Sequence, residues 1–225
     1  MENIISGEKG RCAVSFSGGK DCTLAAFLAK RAGYTPCALV SMQNTRDEFI
    51  ALHAGTEVLT AQADAIGLPI VFAETTWETY REVFSSTLLT IKEELDIRHV
   101  VFGDIDIEGH RQWSEELCFE LGLETVLPLW QKTRTDTVNE FLDLGFEAVI
   151  SVIDTVKTPE KYLGAPFTRE TVTEMQKDGI DPCGENGEFH TIVTNGPLFS
   201  KRLSLSNQGT TRQGSFLIYN ISAIW

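Results

Sequence analysis

Residues Cys12–Cys22 read CAVSFSGGKDC, and this stretch decides the fold. Its first part, Cys12 to Phe16, is a short β-branched and apolar run of the kind that forms a buried strand. Ser17-Gly18-Gly19-Lys20-Asp21 breaks the run, and Thr23-Leu24-Ala25-Ala26-Phe27-Leu28-Ala29 takes up helical composition. Two adjacent glycines let the backbone approach an anion with no Cβ in the way, and the first helical turn leaves its N–H groups pointing at it. Lys20 adds a full positive charge beside the partial charge of the helix end. A Walker loop would carry glycine where Val14 stands and Ser or Thr in place of Asp21, so that reading is excluded. A plain glycine turn is the remaining alternative; Ser, Gly, Gly, Lys and Asp falling together at a strand–helix junction favour phosphate binding.

At these residues the chain resembles the PP-loop ATP pyrophosphatases, whose signature is SGGxDS. The resemblance implies ATP bound through Ser17, Gly18, Gly19, Lys20, Asp21 and Cys22 and cleaved between its α and β phosphates. One position departs from the signature: Cys22 stands for the usual Ser. That exchanges a hydroxyl for a thiol and keeps the backbone N–H, so Cys22 reads as a tolerated variant and not as a nucleophile.

Composition narrows the class. The chain has 225 residues, enough for one ordinary domain with a small appendage, and 42% hydrophobic content, enough for a core. No apolar run approaches the length that spans a bilayer, and Met1-Glu2-Asn3-Ile4-Ile5 lacks a basic region followed by an apolar one, so a cytoplasmic location with no membrane is expected. The formal net charge is −13, from 19 Lys and Arg against 32 Asp and Glu spread along the chain, which argues against a broad nucleic-acid footprint. The five cysteines are widely spaced with no C-x-x-C pair, which predicts reduced thiols and neither a disulfide frame nor a zinc ribbon.

Strand and helix patterns alternate beyond the loop. Cys37 to Met42, Ile70 to Ala73 and His99 to Gly103 read as further strands. Helical spacing runs through Phe49, Leu52, His53, Val58, Leu59, Ala63 and Ile66, through Trp77 to Leu95, and through Trp113, Leu117 and Leu121. Leu127-Pro128-Leu129-Trp130 reads as an apolar stop, Thr133 or Thr135 caps a helix to Leu144, and Phe146 to Ile153 reads as the fifth strand. The expected fold is α/β, a doubly wound, mainly parallel five-stranded sheet over residues 1–153, followed by a smaller α+β module over residues 154–225. Within that module a helix is expected near Arg169 to Lys177, with strands at Phe189 to Val193 and Phe216 to Ile221.

Ligands of such sheets bind beyond the carboxyl ends of the strands. The loop Ser17 to Asp21, the strand end at Ser41 to Gln43, and Gly103-Asp104 are therefore expected to converge. Ser41 and Met42 could meet adenine through backbone groups. Asp104 could bind magnesium or a ribose hydroxyl, or could simply cap a helix.

A second constellation, Asp181 to Thr191, reads DPCGENGEFHT. Asn186-Gly187 is a type I′ hairpin signal. The same turn could present Glu185, Asn186, Glu188 and His190 to a ligand, and both readings stay open.

GENGEFHT with Asn195-Gly196-Pro197-Leu198-Phe199, SGGKD, Gly103-Asp104-Ile105 and Pro128-Leu129-Trp130, in that family's order, resembles the diphthine–ammonia ligase (diphthamide synthetase) family of PP-loop proteins, with its adenine nucleotide alpha hydrolase-like (HUP) fold. The resemblance spans Cys12 to Phe199. It implies an ATP-dependent carbon–nitrogen ligase that amidates the diphthine carboxylate on translation elongation factor 2 through an acyl-adenylate, releasing AMP and pyrophosphate. The implied cofactors are ATP and magnesium, the latter through Asp21 or Asp104. Lys20 would steady the leaving pyrophosphate; Glu185, Asn186, Glu188, His190 and Thr191 would meet substrate, with Glu185, Glu188 or His190 taking a proton. Free ammonia is the expected nitrogen source. The trimethylammonium group of diphthine could meet carboxylates or the faces of Trp113 and Trp130, which core packing explains equally. Two other readings remain: the same adenylation on a different acid, and an ATP- or AMP-binding regulator without turnover. Self-association into a homo-oligomer is compatible with the sequence.

Overall fold

A computed structural model describes residues 8–44 and 55–224. The helical spacing read through Phe49, Leu52 and His53 lies outside the described residues. The chain divides into two compact units.

The first unit is built on a parallel sheet. Its strands are β1 (Gly10–Ser15), β2 (Tyr34–Asn44), β3 (Ile70–Thr75), β4 (His99–Val101) and β5 (Glu124–Val126), and its helices are α1 (Lys20–Arg31), α3 (Tyr80–Leu95) and α4 (Glu108–Glu120), with α2 (Thr56–Ile66) intervening in sequence. The strand order is β3-β2-β1-β4-β5, every neighbouring pair parallel. The chain winds outward from β1 through β2 to β3, then returns to the other side of β1 for β4. The topological switch therefore falls between β1 and β4, beside whose carboxyl ends a doubly wound sheet binds its ligand.

Both faces are buried in the central strands β1, through Cys12, Ala13 and Val14, and β4, as expected where helices cover a parallel sheet. Ala13, Ala38, Val40, Val100 and Phe102 pack with Phe84, Leu88 and Ile91 of α3 and with Leu117 and Cys118 of α4. Phe84 is the hub of this packing. Its ring stacks on Trp113 at 6.0 Å and 9° and meets Phe102 edge-on at 6.2 Å, and Tyr80 leans on Phe84 and Trp113.

The second unit is antiparallel. Its strands are β6 (Glu147–Asp154), β7 (Phe189–Asn195), β8 (Ser204–Gln213) and β9 (Phe216–Ile224), in the order β7-β6-β9-β8, with α5 (Arg134–Asp143) and α6 (Arg169–Lys177). α2 belongs here and not with the strands that flank it in sequence. Its Ala61 and Ala65 pack on Leu203 and Ala223, and the Ala65 carbonyl accepts from the Ser200 amide at 2.7 Å.

Two strand expectations are corrected. The fifth strand of the parallel sheet is Glu124–Val126 and not Phe146 to Ile153. The latter forms β6, which pairs antiparallel with β7 and β9. β5 is too short for a periodicity to announce it, and α5 before β6 has the length of an ordinary crossover helix. β8 escaped the sequence reading because SLSNQGTTRQ is polar on both faces. α3 starts at Tyr80, leaving Trp77 outside it and exposed.

Phe84 is fully buried, so Phe84→Ala removes a ring from the centre of the aromatic stack. The expected loss is about 3–5 kcal/mol of unfolding free energy, read from the midpoint of a urea transition at unchanged slope.

Candidate active site

The loop after β1 turns through Gly18, whose φ is +79°, a conformation that costs a residue with a Cβ. Space forbids a side chain there as well: an added Cβ would lie 2.6 Å from Leu59 Cδ2 and closer still to Gln62 Oε1. The Gly18 carbonyl accepts from the Val193 amide at 3.0 Å and from Gln62 Nε2 at 2.9 Å. The same Nε2 donates to the Val193 carbonyl at 2.7 Å, so α2 and β7 hold the loop from one side.

Lys20 is buried, at 5% exposure. Its amide donates to Thr191 Oγ1 at 3.1 Å, its ammonium donates to the Cys183 carbonyl, and its Nζ lies 5.6 Å from the centre of the Phe189 ring. The Lys20 amide, one of the donors the sequence reading assigned to phosphate, thus has Thr191 as partner. The Cys183 carbonyl and the Phe189 ring beside the ammonium both favour a cation.

Asp181 organises the segment that supplies this wall. Its Oδ1 accepts from the Cys183 amide at 3.0 Å, its Oδ2 accepts from the Glu185 amide at 3.3 Å, and Arg134 bridges to Oδ2. Cys183 Sγ donates in turn to the Arg134 carbonyl at 3.1 Å. Gly184 and Gly187, both at positive φ, close a turn in which the Gly187 amide donates to the Gly184 carbonyl at 3.0 Å. No strand precedes this turn, so Asn186-Gly187 does not make a hairpin; β7 instead pairs with β6.

Within the turn Glu188 is buried and braces its neighbour, accepting from the Asn186 amide at 3.0 Å and from Asn186 Nδ2 at 3.0 Å. His190 pairs with Val152 in the β6–β7 ladder. Phe189 and Thr191 both meet Lys20, and side chains alternate along a strand, so His190 faces the opposite side of β7. Glu185 is half-buried at the turn.

In the first unit, α1 continues from Asp21. A Cβ added to Gly103 would stand 2.8 Å from the Cys22 nitrogen and 2.9 Å from the Asp21 carbonyl carbon, so glycine lets the chain leaving β4 touch the first turn of α1. Asp104 follows. Burial raises its carboxyl above the ordinary carboxylate range, His110 at 3.3 Å opposes that, and the Asp21 charge adds to it. Tyr80 is raised as well, by burial and then by the Asp104 charge.

The Phe16 amide donates to the Val40 carbonyl at 2.8 Å, which sets Ser41 next to the exit of β1. Ser41 is buried and its Oγ accepts from Gln43 Nε2 at 3.0 Å, while Met42 packs on the core around Phe84. Both side chains are occupied within the unit. Trp113 stacks in the core, and Trp130 has the Arg111 guanidinium 5.3 Å from its ring centre.

All five cysteines are free thiols. Burial, helped by Cys37, pushes the Cys12 thiol up to about 12, and burial raises Cys118, so neither forms a thiolate at neutral pH. Cys22 is buried with its Sγ 4.0 Å from Thr23 Oγ1.

The sequence reading missed Gln62, Arg134 and Asp181 as organising residues. For Gln62 a signal existed, a lone amide among alanines in TAQADA on a helix face that should be apolar.

Comparison with known proteins places matches on both parts of the chain. The family model for a diphthamide synthase N-terminal domain matches residues 10–125, and that for a diphthamide synthase C-terminal domain matches residues 133–223. A diphthine–ammonia ligase from Bos taurus is 24% identical over 219 residues, 86% of this chain and 82% of its own. One from Homo sapiens is likewise 24% identical over 219 residues, with the same shares of each chain covered. One from Schizosaccharomyces pombe is 25% identical over 222 residues, which are 88% of this chain but 36% of that longer protein. A crystallised 4-thiouridine synthetase in complex with RNA and bound ATP aligns over 60% of this chain and 41% of its own, at 16% identity and a TM-score of 0.42, too loose a likeness to carry argument.

Gly103→Ala should push the first turn of α1 away from β4, because the atoms in its path are backbone. We expect stability to fall by about 1–3 kcal/mol. The rise in melting temperature that ATP confers should shrink or vanish, as a thermal-shift titration with ATP would record.

Proposed function

Because the chain belongs to the diphthamide synthase family, we propose that it amidates the diphthine carboxylate of translation elongation factor 2 with free ammonia, using ATP and releasing AMP and pyrophosphate. The observation that carries this reading is the loop itself: a strand–glycine–helix turn with a buried lysine ammonium, in a chain whose two parts match the two domains of that family.

The chemistry follows from the groups. A carboxylate resists ammonia because its leaving group would be oxide. Attack of a carboxylate oxygen on the α-phosphorus breaks the bond to the β-phosphate bridge, releases pyrophosphate and leaves an acyl-adenylate. Ammonia then adds to the acyl carbon, AMP departs with the bonding pair, and one proton is lost from nitrogen. In the first step negative charge accumulates on the leaving pyrophosphate. Preorganised amides at the start of α1 and the Lys20 ammonium lower the barrier there, since they need no reorientation as charge develops.

The Lys20 side chain sits among Cys183, Phe189 and Thr191, so its position is set before an anion arrives. Asp181 and Arg134 hold the Cys183 segment in turn. For the second step, Glu188 is committed to Asn186 and His190 turns to the other face of β7. Our assignment for the group that takes the proton from nitrogen is Glu185, half-buried at the turn, with Asn186 and Thr191 as neighbours of the bound substrate.

Asp21 and Asp104 suit a magnesium ion, because burial and, after it, the Asp21 charge raise the Asp104 carboxyl and a cation held by the two would oppose both. Among the described residues no cluster of three or more His, Cys, Asp or Glu side chains could hold a metal on its own, so such an ion would draw further ligands from phosphate oxygens and water. It would neutralise phosphate charge. No described helix is long and apolar enough to cross a membrane.

The test is incubation with ATP, magnesium, ammonium and diphthine-bearing elongation factor 2, following AMP, pyrophosphate and the mass change of the factor. Formation of ADP and phosphate instead would overturn the α–β cleavage. Lys20→Ala should cut turnover by about a hundredfold or more, the scale seen when a preorganised donor to a developing charge is removed. Glu185→Gln should cut it by about a hundredfold as well, with AMP formation less affected than amide formation, as a pyrophosphate-exchange assay beside the full assay would separate.

A further inference from the structure

Trp77 stands two residues beyond β3, in the turn that leads into α3, and is 68% exposed. Among the described residues of the first unit the other exposed aromatic side chain is Phe119, at the end of α4 that returns the chain to the start of β5. The strands of this sheet are all parallel, so Phe119 falls at its amino edge and Trp77 at its carboxyl edge, where a doubly wound sheet takes its ligand. An exposed indole at that edge is the informative kind of exposed apolar group.

The indole is held from the core. It stacks on Tyr80 at 6.1 Å and 28°, and Tyr80 leans on Phe84 at 6.0 Å and on Trp113 at 5.8 Å, both of which pack with the buried cluster between sheet and helices. Trp77 thus rests on a column of rings and leaves most of its own surface to water. Tyr80 also ties it to the neighbouring strand end: burial and then the Asp104 charge raise the Tyr80 phenol, and Asp104 follows Gly103, which touches the first turn of α1.

A quaternary ammonium has no N–H and donates no ordinary hydrogen bond, so it is recognised by aromatic faces and by negative charge. The trimethylammonium group of diphthine is such a cation. Of the three described tryptophans, Trp113 is stacked on Phe84, and the Arg111 guanidinium already lies 5.3 Å from the ring centre of Trp130. We propose that the exposed face of Trp77, backed by Tyr80, binds the trimethylammonium group of the substrate. This rests on the diphthine reading above. The net charge of −13 adds an attractive field for a cation. A neutral base such as adenine would also stack on an indole, and the experiment separates the two.

KM for diphthine-bearing elongation factor 2 and KM for ATP are measured in the AMP-forming assay for wild type, Trp77→Leu and Trp77→Phe, with melting curves of each. The wild-type and Trp77→Leu assays are repeated in tetramethylammonium chloride and in sodium chloride of equal concentration. Trp77→Leu keeps an apolar side chain and loses the aromatic face; KM for the factor should rise about tenfold, with KM for ATP unchanged, and Trp77→Phe should recover part of the loss. Tetramethylammonium should compete with the factor in wild type more strongly than sodium does, and that excess should shrink in Trp77→Leu.

A rise in KM for ATP in place of the factor would give Trp77 to the adenine base and overturn the proposal. Trp77→Phe no better than Trp77→Leu would overturn it too, as would equal inhibition by the two salts, which would make Trp77 a contact for the surface of the factor. A lower melting temperature with both KM values unmoved would make Trp77 structural and equally refute it. Wild type that yields no AMP from ATP sinks the functional reading and this proposal with it, whereas active wild type with unaffected variants sinks this proposal alone.

Discussion

A buried loop must find a partner for each of its peptide groups. A trans peptide points its N–H and its C=O in opposite directions, and each needs a partner when buried. Here the Gly18 carbonyl is taken by the Val193 amide and by Gln62, and the Lys20 amide by Thr191. Those partners come from β7 and α2, far away in sequence. That requirement explains why α2, which connects two strands of the parallel sheet, packs its alanines on Leu203 and Ala223 of the second unit.

The same logic governs charge. The protein carries a net charge of −13, yet the lysine of the loop after β1 is buried. A lysine at the surface would be screened by water and salt; enclosed by the Cys183 carbonyl and the Phe189 ring, the Lys20 ammonium is screened less. Carbonyl and ring compensate part of the desolvation. Asp181 bears on this indirectly: it spends its carboxylate on Arg134 and on the amides of Cys183 and Glu185, and so aims the Cys183 carbonyl.

The sequence was legible where function is local. Strand, glycines, lysine and helix start are consecutive, so β1, the loop and α1 could be read from Cys12 to Ala29, and Gly103-Asp104 followed from the rhythm of strands. It was illegible where partners are distant. Nothing near Glu147–Asp154 says whether that strand runs parallel or antiparallel, because the choice depends on β7 and β9 downstream. Glu188 and His190 sit in the same motif as Glu185, and only backbone geometry shows that one braces Asn186 and the other faces away from Lys20. Gln62 reads as one more residue on an amphipathic helix until Gly18 and Val193 are brought beside it.

Position 22 shows how far side-chain identity matters in such a loop. The family signature carries Ser there, and this chain carries Cys, a weaker donor with a larger atom. Cys22 is buried and its Sγ approaches Thr23 Oγ1 at 4.0 Å. The backbone at this residue is fixed by something else: Gly103 lies so close that a single Cβ would stand 2.8 Å from the Cys22 nitrogen. The constraint thus acts on the backbone of residue 22 and is the same whether oxygen or sulfur follows on the side chain. A glycine at the neighbouring strand exit, and not the side chain at position 22, sets how closely that strand approaches the first turn of α1.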